Sequence, residues 1–231
     1  ELFKGYFIYD KWKFEEYPII HISFLGVNYK EKTVSNGLID KLKDIANEYK
    51  IILEKQYLKD VFIELINKLN EKYKKDVVIL IDEYDKPIID YLNNIEQAKE
   101  NRDDLKSFYI VLKEMSNKIK FLFITGVTKF SKVLIFSDLN HLRDITLSEK
   151  YSIICGYTKE EIVNNYDDWL ELFAQKENIT KDELLEEIKR HYNGYSWDLN
   201  NYVYNPFSLL NALQESKFNN YWFETGTPTF L

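Results

Sequence analysis

The amino-acid sequence predicts an α/β fold in which a parallel sheet with helices is followed by a mostly helical, lid-like subdomain. Residues 77–81 are a short apolar run without alternation, as expected for a central parallel strand covered on both faces, and residues 121–124 have the profile of another buried strand. A helical pattern separates them, and the order strand, helix, strand implies a right-handed parallel crossover. With 231 residues, 45% of them hydrophobic, the chain can bury a sizeable core.

The remaining elements of the first part follow from periodicity and from helix-start signals. Residues 19–25 are β-branched and aromatic and are closed by Gly26, which predicts a first strand. Apolar residues recur at helical spacing between residues 33 and 73, which predicts two amphipathic helices. Asp103 and Asp104 predict the start of a helix over residues 105–119. We expect a fourth strand near Ile145.

The sequence pattern changes after Asp144, where helix-start signals predominate. We divide the chain into residues 1–150 and 151–231. Thr158 and Thr180 are each followed three residues later by glutamate, as in a capping box at a helix start. Asn205 and Pro206 precede a third apolar helix. Residues 151–231 are therefore predicted to form a mostly helical C-terminal subdomain.

The composition restricts the class of protein. A net charge of -7 and a pI near 5.2 disfavour a surface that neutralises many phosphates. Cys155 is the single cysteine, and the three histidines are far apart, so neither an internal disulfide nor a zinc-like spacing is present. The single cysteine indicates a reducing, cytoplasmic compartment. Because no apolar run approaches the length of a membrane span, we also expect a soluble protein.

The chemistry is predicted at the carboxyl end of the 77–81 strand, where Asp82 and Glu83 enter the crevice in which open α/β sheets bind ligands. In a P-loop nucleoside triphosphatase, Asp82 would hold Mg²⁺ and Glu83 would orient or deprotonate the attacking water. The acidic pair is also compatible with a different enzyme that uses carboxylates, and with a structural cause such as helix capping.

Thr125 closes the next predicted strand, at the position where P-loop ATPases place a sensor of the γ-phosphate. A threonine that only ends a strand before the Gly126 turn is the alternative. Candidates for an arginine that contacts phosphate are Arg143 and, ranked below it, Arg190, with Arg102 assigned to a polar loop as the weakest. Each of these arginines could equally be a solvated surface charge.

A phosphate-binding loop is missing from the sequence. None of the seven glycines pairs with another at the spacing G-x-x-x-x-G-K-[ST]. We therefore expect this segment alone to be inactive on ATP.

Several motifs, in order, cover nearly the whole chain. They are LFKG at residues 2–5, YPIIHI at 17–22, VVILIDEYDKP at 77–87, TGVTKFSKV at 125–133, YNGY at 192–195 and YNPFS at 204–208. In these motifs the sequence closely resembles the AAA-ATPase-like family of predicted P-loop ATPases, whose members are often fused to a C-terminal PD-(D/E)XK nuclease-like domain.

The resemblance implies a Walker A loop upstream of residue 1 and a nuclease-like domain after residue 231. It gives Asp82 and Glu83 the Walker B roles and Thr125 the sensor position, with ATP and Mg²⁺ as cofactors. Lys129, Ser131 and Lys132 belong to a family motif to which we assign no chemistry. Nucleic acid would be a partner only through the absent nuclease-like domain, and the oligomeric state is left open.

Two competing functions remain at this stage. The first is a non-hydrolysing module that uses nucleotide to hold a conformation for a protein partner. The second is a metal-dependent nuclease, although its usual [DE]-x-K element is lacking because Tyr84 stands two residues before Lys86. If the Walker A strand is missing, we expect a gap in the sheet, with exposed strand edges or apolar surface.

Overall fold

The computed structural model describes residues 2–127 and 142–222. Contacts within the chain divide it into two compact units, Glu1–Leu142 and Arg143–Leu231. The first unit contains a parallel sheet with helices, and the second is mostly helical. Assignment of functional domains that meet at residue 150 stays a prediction. None of the helices in the described ranges combines the length and apolar character that crossing a bilayer requires.

Three parallel strands form the sheet of the first unit, in the order β1-β2-β3. They are β1 (Ile19–Ser23), β2 (Val77–Asp82) and β3 (Ile119–Ile124). All three were predicted from their β-branched and apolar composition, and the parallel α/β class is confirmed. The register pairs Ser23 with Asp82, and Ile81 with Ile124, so that the carboxyl ends of the three strands are level.

Among residues 2–127, four helices accompany this sheet: α1 (Val34–Glu48), α2 (Leu58–Tyr73), α3 (Lys86–Ile89) and α4 (Ile95–Glu114). The apolar stripes that predicted α1 and α2 are buried in one core with the inward side chains of the strands. Phe62 of α2 stacks on Phe108 of α4 with 4.6 Å between ring centroids. Short 3₁₀ turns lie at Phe24–Gly26, Ser116–Lys118 and, in the second unit, Glu149–Tyr151.

The sheet buries one face, which corrects the predictions that β2 is covered on both faces and that β3 is a buried strand. Ile20, Ile22, Ile79 and Ile81 are buried, but the alternate residues point to a second face that is more accessible. On that face Phe121 is 54% and Phe123 is 40% exposed. Ile19 and His21 of β1 lie on the same face and are also exposed. In the described residues, the apolar run without alternation therefore corresponds to strands with two apolar faces, of which one is buried and the other is accessible.

No gap lies between the three described strands, because β2 pairs with β1 and with β3, but β3 keeps an edge that no described strand covers, as the prediction expected. Exposed apolar surface, the other part of that prediction, is present on β3. A fourth strand near Ile145 is wrong: residues 142–145 have no regular structure. The amide of Thr146 instead donates to the carboxylate of Asp144 at 3.0 Å, which is a local turn interaction that competes with strand pairing.

The helix predicted to start at Asp103 begins earlier in the chain, since α4 starts at Ile95. Its N-cap is Asn94, whose side chain accepts a hydrogen bond from the amide of Gln97 at 3.2 Å. Arg102, which was assigned to a loop, is therefore inside α4 and forms an ion pair with Asp103. Acidic residues favour a first turn, but here Asp103 is exposed inside a longer helix and Asp104 accepts a hydrogen bond from the amide of Ser35 at 2.9 Å.

The second unit contains α5 (Lys159–Asn165), α6 (Asp167–Glu177), α7 (Lys181–Tyr192) and α8 (Pro206–Glu215), with a short antiparallel pair, β4 (Asn193–Tyr195) and β5 (Val203–Tyr204). Both predicted capping boxes are confirmed, Thr158 with Glu161 and Thr180 with Glu183. Asn205 caps α8 through the amide of Ser208, also as predicted.

Candidate functional site

The carboxyl ends of β2 and β3 bring Asp82 and Thr125 together. The register places Ile81 beside Ile124, so the residue that follows each becomes a neighbour. The hydroxyl of Thr125 donates a hydrogen bond to Oδ1 of Asp82, and the amide of Thr125 donates to the carbonyl of Ile81 at 2.8 Å. Asp82 is exposed, so its carboxylate is accessible to a ligand at this edge of the sheet.

Glu83 is the first residue after β2, and its backbone φ of 54° lies in the left-handed region. For a residue other than glycine this conformation costs about 1 kcal/mol or more, and such strain tends to occur at functional sites. The amide of Glu83 donates to Oδ1 of Asp82 at 3.1 Å. The oxygen that Thr125 contacts is thus held by a second donor as well.

Burial raises the pKa of Glu83 above its ordinary value, and the carboxylates of Asp82, Asp85 and Asp90 raise it further, whereas the Lys86 ammonium opposes them. The carboxylate of Glu83 therefore binds a proton more readily than an exposed glutamate does. Such a shift is the direction expected for a general base that works near neutral pH.

Asp85 is completely buried, and its carboxylate accepts the amide hydrogen of Val127, with 3.0 Å between N and Oδ2. The amide of Tyr84 donates to the carbonyl of Thr125 at 3.0 Å. The turn that follows β3 is therefore bound to the turn that follows β2. Sequence reasoning did not single out Asp85; the available signal was a third carboxylate in the same four-residue segment as the acidic pair.

A second polar cluster lies beside this turn and is centred on Asp90. Its carboxylate accepts from the Tyr29 hydroxyl at 2.8 Å and pairs with Lys86 at 3.1 Å and Lys30 at 3.3 Å. Burial raises the pKa of Asp90, but these hydrogen bonds and charges outweigh burial, so the net pKa is lowered. The cluster connects the loop after β1 to α3 next to the acidic turn.

Ser23 is a further polar residue that sequence reasoning missed. It ends β1, and the register pairs it with Asp82, so Asp82 lies between Ser23 and the position of Thr125. The signal that could have found it was the polar residue four positions after Ile19, at the end of a predicted parallel strand.

Arg143 and Arg190 belong to the second unit, and within it Arg190 forms an ion pair with Glu187. Residues Lys129, Ser131 and Lys132 lie outside the described ranges. Across residues 2–127 and 142–222, no group of three or more His, Cys, Asp or Glu side chains is arranged to hold a metal ion. The catalytic, cofactor and metal roles of the predicted residues stay predictions.

Comparison with known proteins identifies the family of this chain. A curated protein of Azotobacter chroococcum mcd 1, described as an uncharacterized protein in vnfD 5′ region, is 39% identical over 233 residues. The match covers 100% of this chain and 43% of that relative, so the chain spans less than half of its length. No solved structure matches significantly.

The sequence profile of the AAA-ATPase-like family, described as predicted AAA-ATPase, matches residues 1–136. A parallel sheet with an acidic pair and a threonine at adjoining strand ends, together with this match over more than half of the chain, places the protein in the AAA-ATPase-like family.

Proposed function

We propose that this chain supplies the magnesium-binding, water-activating and phosphate-sensing residues of an ATP-hydrolysing module. The observation that supports this most strongly is the hydrogen bond from Thr125 to Asp82 across the ends of two parallel strands. Side chains at this edge of an open parallel sheet face the crevice where such folds bind ligands. The family to which the chain belongs is one of predicted ATPases.

The residues present fit a magnesium ion that is bound together with nucleotide. Mg²⁺ in phosphate-transfer sites uses one or two carboxylates, and phosphate oxygens and waters complete its octahedral shell. Asp82 is exposed, has a second carboxylate oxygen besides the one that accepts from Thr125 and Glu83, and would hold the ion. When bound, the ion would neutralise charge on the β- and γ-phosphates.

Glu83 would act as the base or orienting group for the attacking water. Its backbone turns away from the strand at φ 54°, and its side chain is half-buried next to the exposed carboxylate of Asp82. The raised pKa favours acceptance of a proton. Thr125, as a hydroxyl beside Asp82, would respond to the γ-phosphate by exchanging its hydrogen bond from the carboxylate to a phosphate oxygen.

The phosphate-binding loop would be supplied on a strand that pairs with the free edge of β3. Among the described strands, β3 has β2 on one side only. The exposed Phe121 and Phe123 side chains mark the same strand as one that has apolar surface left to cover. A strand added there would end beside Thr125, which would put its loop within reach of the acidic pair.

The proposal is tested by ATP turnover in a chain extended upstream through the expected phosphate loop. We expect Glu83→Gln to abolish turnover and retain nucleotide binding, because the amide cannot accept the proton. The matched control is Glu48→Gln, an exposed residue of α1, which should leave turnover unchanged. Absence of both ATP binding and turnover in the extended wild type would contradict the proposal.

The same variant separates hydrolysis from the switch alternative. If wild type binds ATP but turns over no faster than Glu83→Gln, and a nucleotide-dependent change in protease sensitivity survives the substitution, the module is a non-hydrolysing switch. Turnover that depends on Glu83 favours the enzyme.

A further inference from the structure

We infer that Asp85 is a positioning residue which, through the turn at Gly126 and Val127, sets the place of the Thr125 hydroxyl relative to Asp82. The inference rests on the proposed function, because it assigns Asp85 to the reaction through Thr125. Asp85 itself is fully buried and does not reach the accessible edge of the sheet where a substrate would bind.

The first observation is the direction of the Asp85 carboxylate. Asp85 occupies the N-cap position of α3, where an aspartate side chain ordinarily accepts a hydrogen bond from the first turn of the helix. Here the side chain makes no cap hydrogen bond, and its two oxygens lie 3.0 and 3.3 Å from the amide nitrogen of Val127. The Asp85 side chain therefore does not cap α3 and instead contacts the turn after β3.

The second observation is how closely the two turns approach each other. A Cβ atom on Gly126 would lie 2.3 Å from Cε1 of Tyr84 and 2.9 Å from Oδ1 of Asp85. Only glycine leaves room for this approach. The turn is thus fixed on its inner side by the Tyr84 ring and at its end by the Asp85 carboxylate.

Backbone hydrogen bonds continue the connection to Thr125. The carbonyl of Thr125 accepts from the amide of Tyr84 at 3.0 Å, and the amide of Thr125 donates to Ile81 at 2.8 Å. Together with the bond from Val127 to Asp85, three hydrogen bonds hold residues 125–127 against residues 81–85. The position of the Thr125 hydroxyl follows from this attachment.

A buried carboxylate is a costly way to hold a turn if stability is the only requirement. An ionised group taken out of water loses its hydration, and apolar packing of the same volume is often at least as stable. A hydrogen bond from an amide to a carboxylate is, however, shorter and stronger than one to a neutral acceptor. The contact of Asp85 with the Val127 amide therefore defines the turn at the predicted sensor more closely than a neutral acceptor would.

The experiment compares Asp85→Ala with Asp85→Asn in the extended chain and measures both hydrogen exchange and ATP turnover. Asparagine keeps an oxygen acceptor for Val127, and alanine removes it. Asp44→Ala, an exposed aspartate of α1, is the control for loss of a carboxylate. We expect Asp85→Ala to increase the exchange rate of the peptide over residues 122–127 by at least about tenfold and Asp85→Asn to restore most of the protection.

In turnover, Asp85→Ala should lower kcat by about tenfold or more and change the Kd for ATP by less than about threefold. In a Thr125→Ala background the same substitution should cost little further kcat, because Asp85 acts through Thr125. A full additional loss in that background would overturn the inference, since Asp85 would then act independently of Thr125.

Hydrogen exchange separates this inference from the proposed function. If the wild type shows no turnover, the proposed function fails, but unchanged protection of residues 122–127 in Asp85→Ala would still refute the positioning role and increased exchange would support it. If Asp85→Ala does not fold, Val127→Pro removes the amide donor from the other end of the same bond. Normal protection of Thr125 in that variant would also refute the role.

Discussion

The hydroxyl of Thr125 donates to the carboxylate of Asp82, although 43 residues separate the two in the chain. Their proximity follows from strand register, because the residues before them, Ile124 and Ile81, are paired partners in a parallel sheet. The contact connects a hydroxyl with the carboxylate proposed to hold magnesium, so a change at the phosphate could pass to β3 through one hydrogen bond.

Replacement of Thr125 measures how much this hydrogen bond contributes to the free energy of unfolding in the absence of nucleotide. Thr125→Val keeps the branched shape and removes the donor, so we expect the free energy of unfolding to fall by about 0.5–1.5 kcal/mol. Thr125→Ser keeps the hydroxyl and should lose less. Urea unfolding of both variants measures the difference, and equal losses would show that shape, and not the hydrogen bond, determines the effect.

Gly126→Ala should destabilise the first unit by about 1–3 kcal/mol, because the new methyl group would overlap the Tyr84 ring. Gly26→Ala is the matched control: a Cβ there meets no atom within 4 Å. Thermal unfolding monitored by circular dichroism compares the two. A melting temperature for Gly126→Ala as high as that of Gly26→Ala would contradict the close packing of the two turns.

The raised pKa of Glu83 predicts a dependence of stability on pH. A carboxyl whose pKa is raised on folding holds its proton more tightly in the folded state, so its contribution to stability is lost as pH rises above its ordinary value of 4.5. Glu83→Gln removes this penalty. The variant should therefore gain stability relative to wild type at about pH 7, and the gain should shrink towards about pH 4.

Asp90→Asn provides a control of opposite sign for the same measurement. The pKa of Asp90 is lowered, so its ionised form stabilises the fold above its ordinary pKa and this contribution is lost as pH falls through the lowered value. Asp90→Asn should be less stable than wild type at about pH 7, with a smaller deficit in acid. Urea unfolding at both pH values checks the pair, and the same sign for both variants would contradict the electrostatic assignment.

The exposed phenylalanines of β3 predict self-association or dye binding by the 231-residue chain. Phe121→Thr with Phe123→Thr keeps β propensity and removes the apolar surface, so binding of a hydrophobic fluorescent dye should fall. Each substitution should change the free energy of unfolding by about 1 kcal/mol or less, because both rings are 40% or more exposed. Trp169→Thr, an exposed aromatic of α6, is the control. Equal dye binding by all variants would show that the apolar surface of β3 is not the surface that binds the dye.

Local patterns were sufficient for the elements whose signals are short in range. The stripes at Leu38 and Phe62 and the capping boxes at Thr158 and Thr180 depend on neighbours within one or two turns, and the structure has each of them. The start of α4 was missed because an aspartate favours a helix N-terminus but does not require one, and Asn94 supplied the cap.

What the sequence could not show is how distant segments meet. The sequence did not show that the three described strands pair with one another without a gap, so that the uncovered edge falls on β3. The role of Asp85 was invisible, since its acceptor function depends on the amide of Val127, 42 residues away. An aspartate at position 85, shortly before Pro87, is equally typical of a helix cap. Only its contact with the amide of Val127 distinguishes the cap from a residue that holds the turn after β3.

The most direct test of the central proposal is titration calorimetry with ATP and Mg²⁺ on this chain, on the chain extended upstream through the expected phosphate loop, and on the extended chain with Asp82→Asn. We expect no binding by the 231-residue chain, binding by the extended chain, and magnesium-dependent affinity that Asp82→Asn lowers by about tenfold or more. An extended chain that binds no ATP, or binds it equally well with and without the Asp82 carboxylate, would contradict the account.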